Sequence, residues 1–135
     1  MNTAAGAIRT VIADDADDLR MLIRLTLDND ARFSVVGEAA DGEEALSVID
    51  AERPDLLVLD LAMPRMDGLE VLTLLHQRPE PLPVVVLSGF TNDAMVRRAM
   101  ALGAAAYVPK GRDITELPDL FAAAVVGAGG GALPA

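Results

Sequence analysis

Five times along this chain a short run of consecutive apolar residues gives way to apolar residues spaced three and four apart, and few folds accommodate that alternation. The runs are Thr10–Ala13, Phe33–Gly37, Leu56–Leu59, Val84–Leu87 and Ala104–Val108, whose lengths and β-branched content predict short buried strands. Leu19, Leu22, Ile23, Thr26 and Leu27 form the first helical stripe. Ala45, Leu46 and Ile49 form the second, opened by Asp41 and Glu44 at capping-box spacing and closed before Pro54. Leu69, Leu72 and Leu75 make the third, ended by Pro79, Pro81 and Pro83. Thr91 or Asn92 is expected to cap the fourth, which carries Met95, Val96, Ala99 and Met100 and stops at Gly103 in a left-handed conformation. The fifth holds Leu117, Leu120, Phe121, Ala124 and Val125, and Pro118 is tolerated there because its missing N–H falls in the first turn.

Strict strand–helix alternation with short links implies a parallel sheet, right-handed crossovers and helices on both faces. The expected fold is α/β, a doubly wound (βα)5 flavodoxin-like parallel sheet of strand order 2-1-3-4-5. The chain has 135 residues, enough for one domain that buries its core without staples. It contains no cysteine, which excludes disulfides, zinc-thiolate sites and a thiol nucleophile and fits the cytoplasm. A net charge of -10 with no basic stripe argues against nucleic acid binding by this segment alone. No apolar run reaches membrane-spanning length, and Met1 to Ala7 lacks the features of a signal peptide, so no membrane contact is expected. Composition changes at Gly127, where a Gly-rich stretch begins. The domain is accordingly placed at residues 8–127, with 128–135 a flexible tail or the start of a linker.

The chemistry gathers at the strand ends. In an open α/β sheet, ligands bind outside the carboxyl ends of the strands, and in the order 2-1-3-4-5 the first and third strands are neighbours at the switch point. The first ends in Asp14 and Asp15, the third in Asp60. Carboxylates about 4 Å apart at an effective dielectric near 20 repel by roughly 4 kcal/mol per pair, so a neutralising group is needed. Mg2+ meets that need, since it takes one or two carboxylates, keeps several waters and leaves room for a phosphoryl oxygen. Asp17 and Asp18 are assigned instead to the positive end of the following helix. The fourth strand ends at Ser88 and Gly89, offering a hydroxyl and an approachable N–H, and the fifth at Lys110, offering an ammonium. A carboxylate nucleophile, a divalent ion, a hydroxyl and a lysine are the parts required for in-line phosphoryl transfer to an aspartate.

In these residues and their order the sequence closely resembles the receiver domain of two-component response regulators, over roughly Ile8 to Gly127. The resemblance implies that Asp60 is the phosphoacceptor, Asp15 a direct Mg2+ ligand, Asp14 a partner acting largely through metal-bound water, and the carbonyl of Ala62 a further ligand. It implies that Ser88 and Lys110 contact the phosphoryl oxygens, helped by the N–H groups of Ala62 and Gly89. Tyr107, three residues before Lys110, matches the switch aromatic of the family. The implied partners are a histidine kinase or phosphotransfer protein and, on phosphorylation, a second receiver. The implied output is a change in the face made by the fourth helix, fifth strand and fifth helix. The Leu-Pro near the end of the chain resembles linkers leading to helix-turn-helix output domains. Pro109 precedes Lys110 and Gly111 follows it, a departure that leaves the isomer of the Lys110–Gly111 bond open.

Two other readings stand beside this one. A stand-alone regulator or phosphorelay intermediate would act through protein contacts alone. A Mg2+-dependent phosphohydrolase would commonly place a general acid two residues after its nucleophilic Asp, where this chain has Ala62. By resemblance, the residues two after the acceptor and two after the hydroxyl residue govern hydrolysis of the aspartyl phosphate. Here they are Ala62 and Phe90, neither of which orients a water, so a long-lived phosphorylated state is expected. His76 lies at the end of the third stripe, where a solvated or helix-capping role is expected rather than phosphoryl donation.

Overall fold

The computed structural model describes residues 6–89 and 92–129. The elements are β1 (Ile8–Ala13), α1 (Asp17–Asp28), β2 (Phe33–Ala39), α2 (Gly42–Glu52), β3 (Leu56–Leu59), α3 (Gly68–His76), β4 (Val84–Ser88), α4 (Asp93–Ala101), β5 (Ala106–Pro109), a 3-10 turn (Ile114–Glu116) and α5 (Leu117–Gly129). The five strands are parallel throughout and lie in the order β2-β1-β3-β4-β5, as the alternation predicts.

Alternation along each strand divides the core in two. Val11, Leu57, Leu59, Val84 and Val86 face α2, α3 and α4, where they meet Ala45, Ile49, Val71, Leu72, Leu75 and Ala99. Ile12, Leu56, Val58, Val85, Leu87 and Val108 face the other way, toward Ile23, Leu27, Leu117, Phe121 and Ala124 of α1 and α5. β3 is buried along its whole length because it has a strand on either side and helices on both faces.

The structure corrects several details. β1 starts two residues early because Ile8 donates to the Arg32 carbonyl at 2.7 Å and pairs with Phe33. β2 extends to Ala39, pairing Glu38 with Ile12, since an edge strand tolerates the charge. β5 starts late, at Ala106, because the N–H groups of Gly103 and Ala104 finish α4 by donating to Met100 and Ala99. Gly103 has the expected positive φ, at 94°. Leu22, placed in the buried stripe of α1, is exposed along with Met21 and Leu25; the buried row is Ile23 and Leu27. Met100 likewise faces outward. α5 continues through Gly129, two residues into the stretch expected as a tail, while residues 130–135 lie outside those described.

Caps fix the helix entries. Asn92 accepts from the N–H groups of Ala94 and Met95 at 2.8 and 3.2 Å, and Thr91 lies outside the described residues. Asp41 caps α2 through Glu44 N–H at 2.8 Å, but the Glu44 carboxylate turns to Ala40 N–H instead of closing the box. The complete capping box is at Asp67 and Glu70, where each side chain accepts from the other's backbone. It carries the same Asp-x-x-Glu signal.

Candidate acidic crevice at the switch point

The register of β1 on β3 brings Ala13 opposite Leu59, so the next residues of each strand, Asp14 and Asp60, leave the sheet side by side. Backbone bonds continue one step past the strands: Asp60 N–H donates to Ala13 at 2.9 Å and Asp14 N–H to Ala39 at 3.0 Å. These bonds hold the two Cα atoms rigidly. One ligand oxygen from each of Asp14, Asp15 and Asp60 lies within 4.8 Å of the others. Asp14 and Asp60 are buried, and Asp15 is exposed at the mouth.

Lys110 completes the crevice from β5. Its N–H donates to the Ser88 carbonyl at 2.9 Å, and its ammonium bridges Asp14 Oδ2 at 3.1 Å and Asp60 Oδ2 at 3.3 Å. The remaining oxygens also find donors. Asp14 Oδ1 accepts from Ala16 N–H at 2.8 Å, and Asp60 Oδ1 from Ala62 N–H at 3.3 Å. Burial pushes the Asp60 carboxyl above the ordinary carboxylate range and the Asp14 charge adds to this, while Lys110 and the Ala62 N–H pull it back only in part. Burial acts against the Lys110 charge, but the two carboxylates outweigh it and hold the ammonium above the ordinary lysine range.

The other expected site residues lie on β5 or at the ends of β3 and β4. Ala62 is exposed immediately beyond Asp60, and Gly89 is open, with no atom near the position of a Cβ. Ser88 is fully buried at the end of β4. Tyr107 is half-buried on β5 and packs against the core on the α2–α4 side. His76 is exposed at the end of α3. Phe90 lies outside the described residues. Every peptide bond described is trans, Lys110–Gly111 included.

Three features have no counterpart in the sequence pattern. Lys110 spans both buried acids, Arg20 of α1 reaches the Asp14 carbonyl with Nη1 at 2.6 Å, and Arg65, at φ 65°, donates to the α2 cap Asp41 at 3.1 Å. None has a local signal, because each joins segments distant in sequence or commits a side chain to a backbone group.

Fold and crevice together define a doubly wound α/β domain with a lysine-bridged acidic cluster at its switch point. The chain belongs to the response regulator receiver domain family, whose model matches residues 10–122. It is 36% identical over 114 residues to the transcriptional regulatory protein PdtaR of Mycobacterium tuberculosis, covering 84% of this chain and 55% of that protein. It is also 36% identical over 106 residues to a protein-glutamate methylesterase/protein-glutamine glutaminase of Pyrococcus horikoshii, covering 76% of this chain and 28% of the relative. The chain thus spans from about a quarter to about half the length of these curated relatives. Among solved structures, the signal receiver domain of NarL from M. tuberculosis superposes with a TM-score of 0.85 at 33% identity, over 90% of this chain and 98% of that one.

Proposed function

We propose that this receiver takes a phosphoryl group onto Asp60 from a phosphohistidine of a histidine kinase or phosphotransfer protein, and that the aspartyl phosphate switches the α4-β5-α5 face. The observation carrying this reading is the convergence of Asp14, Asp15 and Asp60 within 4.8 Å beneath the Lys110 ammonium. An all-oxygen donor set with two buried members and one exposed suits a hard cation that keeps part of its water shell, so Asp14, Asp15 and Asp60 fit Mg2+, with the Ala62 carbonyl as the further ligand that the family resemblance implies. When bound, Mg2+ neutralises the carboxylates and the phosphoryl oxygens.

The residues then divide the reaction among them. An Asp60 oxygen attacks phosphorus in line, the N–P bond breaks, and its electron pair leaves on the donor imidazole. Lys110 exchanges its contact with Asp60 for a phosphoryl oxygen, and the N–H groups of Ala62 and Gly89 supply two further donors. Ser88 is buried before reaction, so bringing its hydroxyl to the phosphoryl group moves the end of β4. Tyr107, half-buried on β5, follows that movement and carries it to the output face. An output domain beyond this segment, or a partner protein, reads the change.

The test is uptake from acetyl phosphate, followed by mass spectrometry. With Mg2+ the protein gains one phosphoryl group, and EDTA abolishes the gain; uptake at an undiminished rate in EDTA rules out the cation role. Mg2+ at about 100 times its Kd stabilises the folded state by roughly 2.7 kcal/mol, and Asp15→Ala removes most of that shift.

The lifetime of the phosphorylated form depends on Ala62, whose methyl group orients no water. Ala62→Asn is expected to shorten it severalfold, measured as decay of the intact phosphoprotein at fixed Mg2+. An unchanged or slower decay refutes this control.

A further inference from the structure

Resting on the Mg2+-assisted reading above, we infer that Arg20 is the positioning residue that aims Asp15 into the cation site. Arg20 lies on α1, outside the crevice, with its side chain only 17% exposed. Its guanidinium has three partners: Nη1 donates to the Asp14 carbonyl at 2.6 Å, Nε to Glu38 on β2 at 3.0 Å and Nη2 to Asp17 in the first turn of α1 at 2.7 Å. One planar fork therefore ties β2, α1 and the loop leaving β1.

The contact with Asp14 is made to the peptide group and not to the carboxylate. A peptide is planar, so fixing the direction of the Asp14 carbonyl fixes the plane that also contains the Asp15 nitrogen and Cα. The Asp14 side of that plane is held independently, by its N–H on Ala39 at 3.0 Å and its carboxylate on Ala16 N–H at 2.8 Å and Lys110 at 3.1 Å. Asp15 has no such support: it is exposed, and among the described residues its carboxylate takes part in no hydrogen bond or ion pair. Two peptide planes meet at its Cα, the following one held by Ala16 N–H on the Asp14 carboxylate at 2.8 Å and the preceding one by Arg20 at 2.6 Å, and together they aim it at Asp14 and Asp60. Glu38 in turn holds the fork in place while sharing its second oxygen with Arg24 at 2.7 Å.

Charge and geometry make opposite predictions for removal of Arg20, which gives the test its force. Loss of a nearby positive charge, acting alone, tightens binding of a cation. Loss of the fork frees Asp15 and weakens it, by about tenfold, the order expected when a partner of a metal ligand is removed.

Mg2+ affinity is measured by calorimetry on the wild type, Arg20→Gln and Arg20→Lys, with thermal unfolding of each in metal-free buffer. The expected result is a Kd raised about tenfold in both variants, including Arg20→Lys, which keeps the charge but not the planar fork. A lower melting temperature with unchanged Mg2+ affinity shows a purely structural arginine, and tighter binding by Arg20→Gln shows a purely electrostatic one; either overturns the inference. Should Arg20→Gln fail to fold, Arg20→Lys decides by the same criterion. A wild type that binds no Mg2+ overturns the underlying functional reading and this one with it, whereas a binding wild type with unaltered variants overturns this one alone.

Discussion

Asp60→Asn protein takes up no phosphoryl group from acetyl phosphate and Mg2+, yet in metal-free buffer at neutral pH it melts above the wild type. The first effect follows from replacing a carboxylate nucleophile with an amide at the strand-end position that faces Lys110 and the Ala62 N–H together. Uptake that persists in Asp60→Asn and disappears in Asp14→Asn moves the acceptor. The second effect follows from burial: the Asp60 carboxyl is held above its ordinary range, chiefly by desolvation and then by Asp14. Its folded pKa therefore exceeds its unfolded one, so between the two the folded state keeps a proton that the unfolded chain has lost. Stability falls as pH rises through that window, and above it the full cost of the buried charge is present. Asparagine removes that cost. A gain on the order of 1 kcal/mol corresponds to roughly 3 to 6 °C in a domain of this size. The advantage of Asn over Asp should shrink as the pH is lowered toward the ordinary aspartate pKa of about 3.9. A variant that melts below the wild type at neutral pH shows that the Lys110 contact outweighs burial and repulsion.

Gly68→Ala is expected to be the most damaging single methyl addition near the crevice. A Cβ at Gly68 falls inside contact distance of the Asp60 carbonyl oxygen and 2.7 Å from Leu61 Cα. Both are backbone atoms, so no rotamer change relieves the clash, and the Gly68 N–H already donates to the Leu61 carbonyl at 2.9 Å. Either α3 withdraws from β3 or Asp60 shifts. A loss of about 3 kcal/mol, roughly 10 °C in melting temperature, is expected together with weakened Mg2+ binding. Gly111→Ala is the control: it follows Lys110, but no atom lies within 4 Å of its Cβ position. Circular dichroism melts of the two variants provide the comparison. Equal melting temperatures show that the close approach at Gly68 carries no energetic weight.

Periodicity was sufficient to order the elements, because a buried parallel strand and an amphipathic helix impose different spacings on apolar residues. β3 is the plainest case, four apolar residues ending at Asp60, and both its limits follow from the sequence. Strand order was also legible, since short βα links and right-handed crossovers leave few arrangements. That order placed Asp14, Asp15 and Asp60 at one switch point, and the end of the fifth strand offered the Lys110 ammonium to the same site. Strand ends were less legible: β1, β2 and β5 gain or lose residues through pairing with neighbours and through the closing bonds of α4, which belong to no single segment.

How the crevice is held together was not legible in the chain. The bridge from Lys110 to both buried acids, the fork of Arg20 on the Asp14 carbonyl and the tie from Arg65 to Asp41 depend on how separate segments close on one another. Arginine and lysine on a helix or loop look alike whether solvated or committed to a backbone carbonyl. Which carboxylates meet was legible in the chain, because it depends on where β1 and β3 end and on the strand order. Their aim, and the raised pKa of Asp60, came only with the folded state, because hydrogen-bond direction and desolvation exist only once the chain has closed around them.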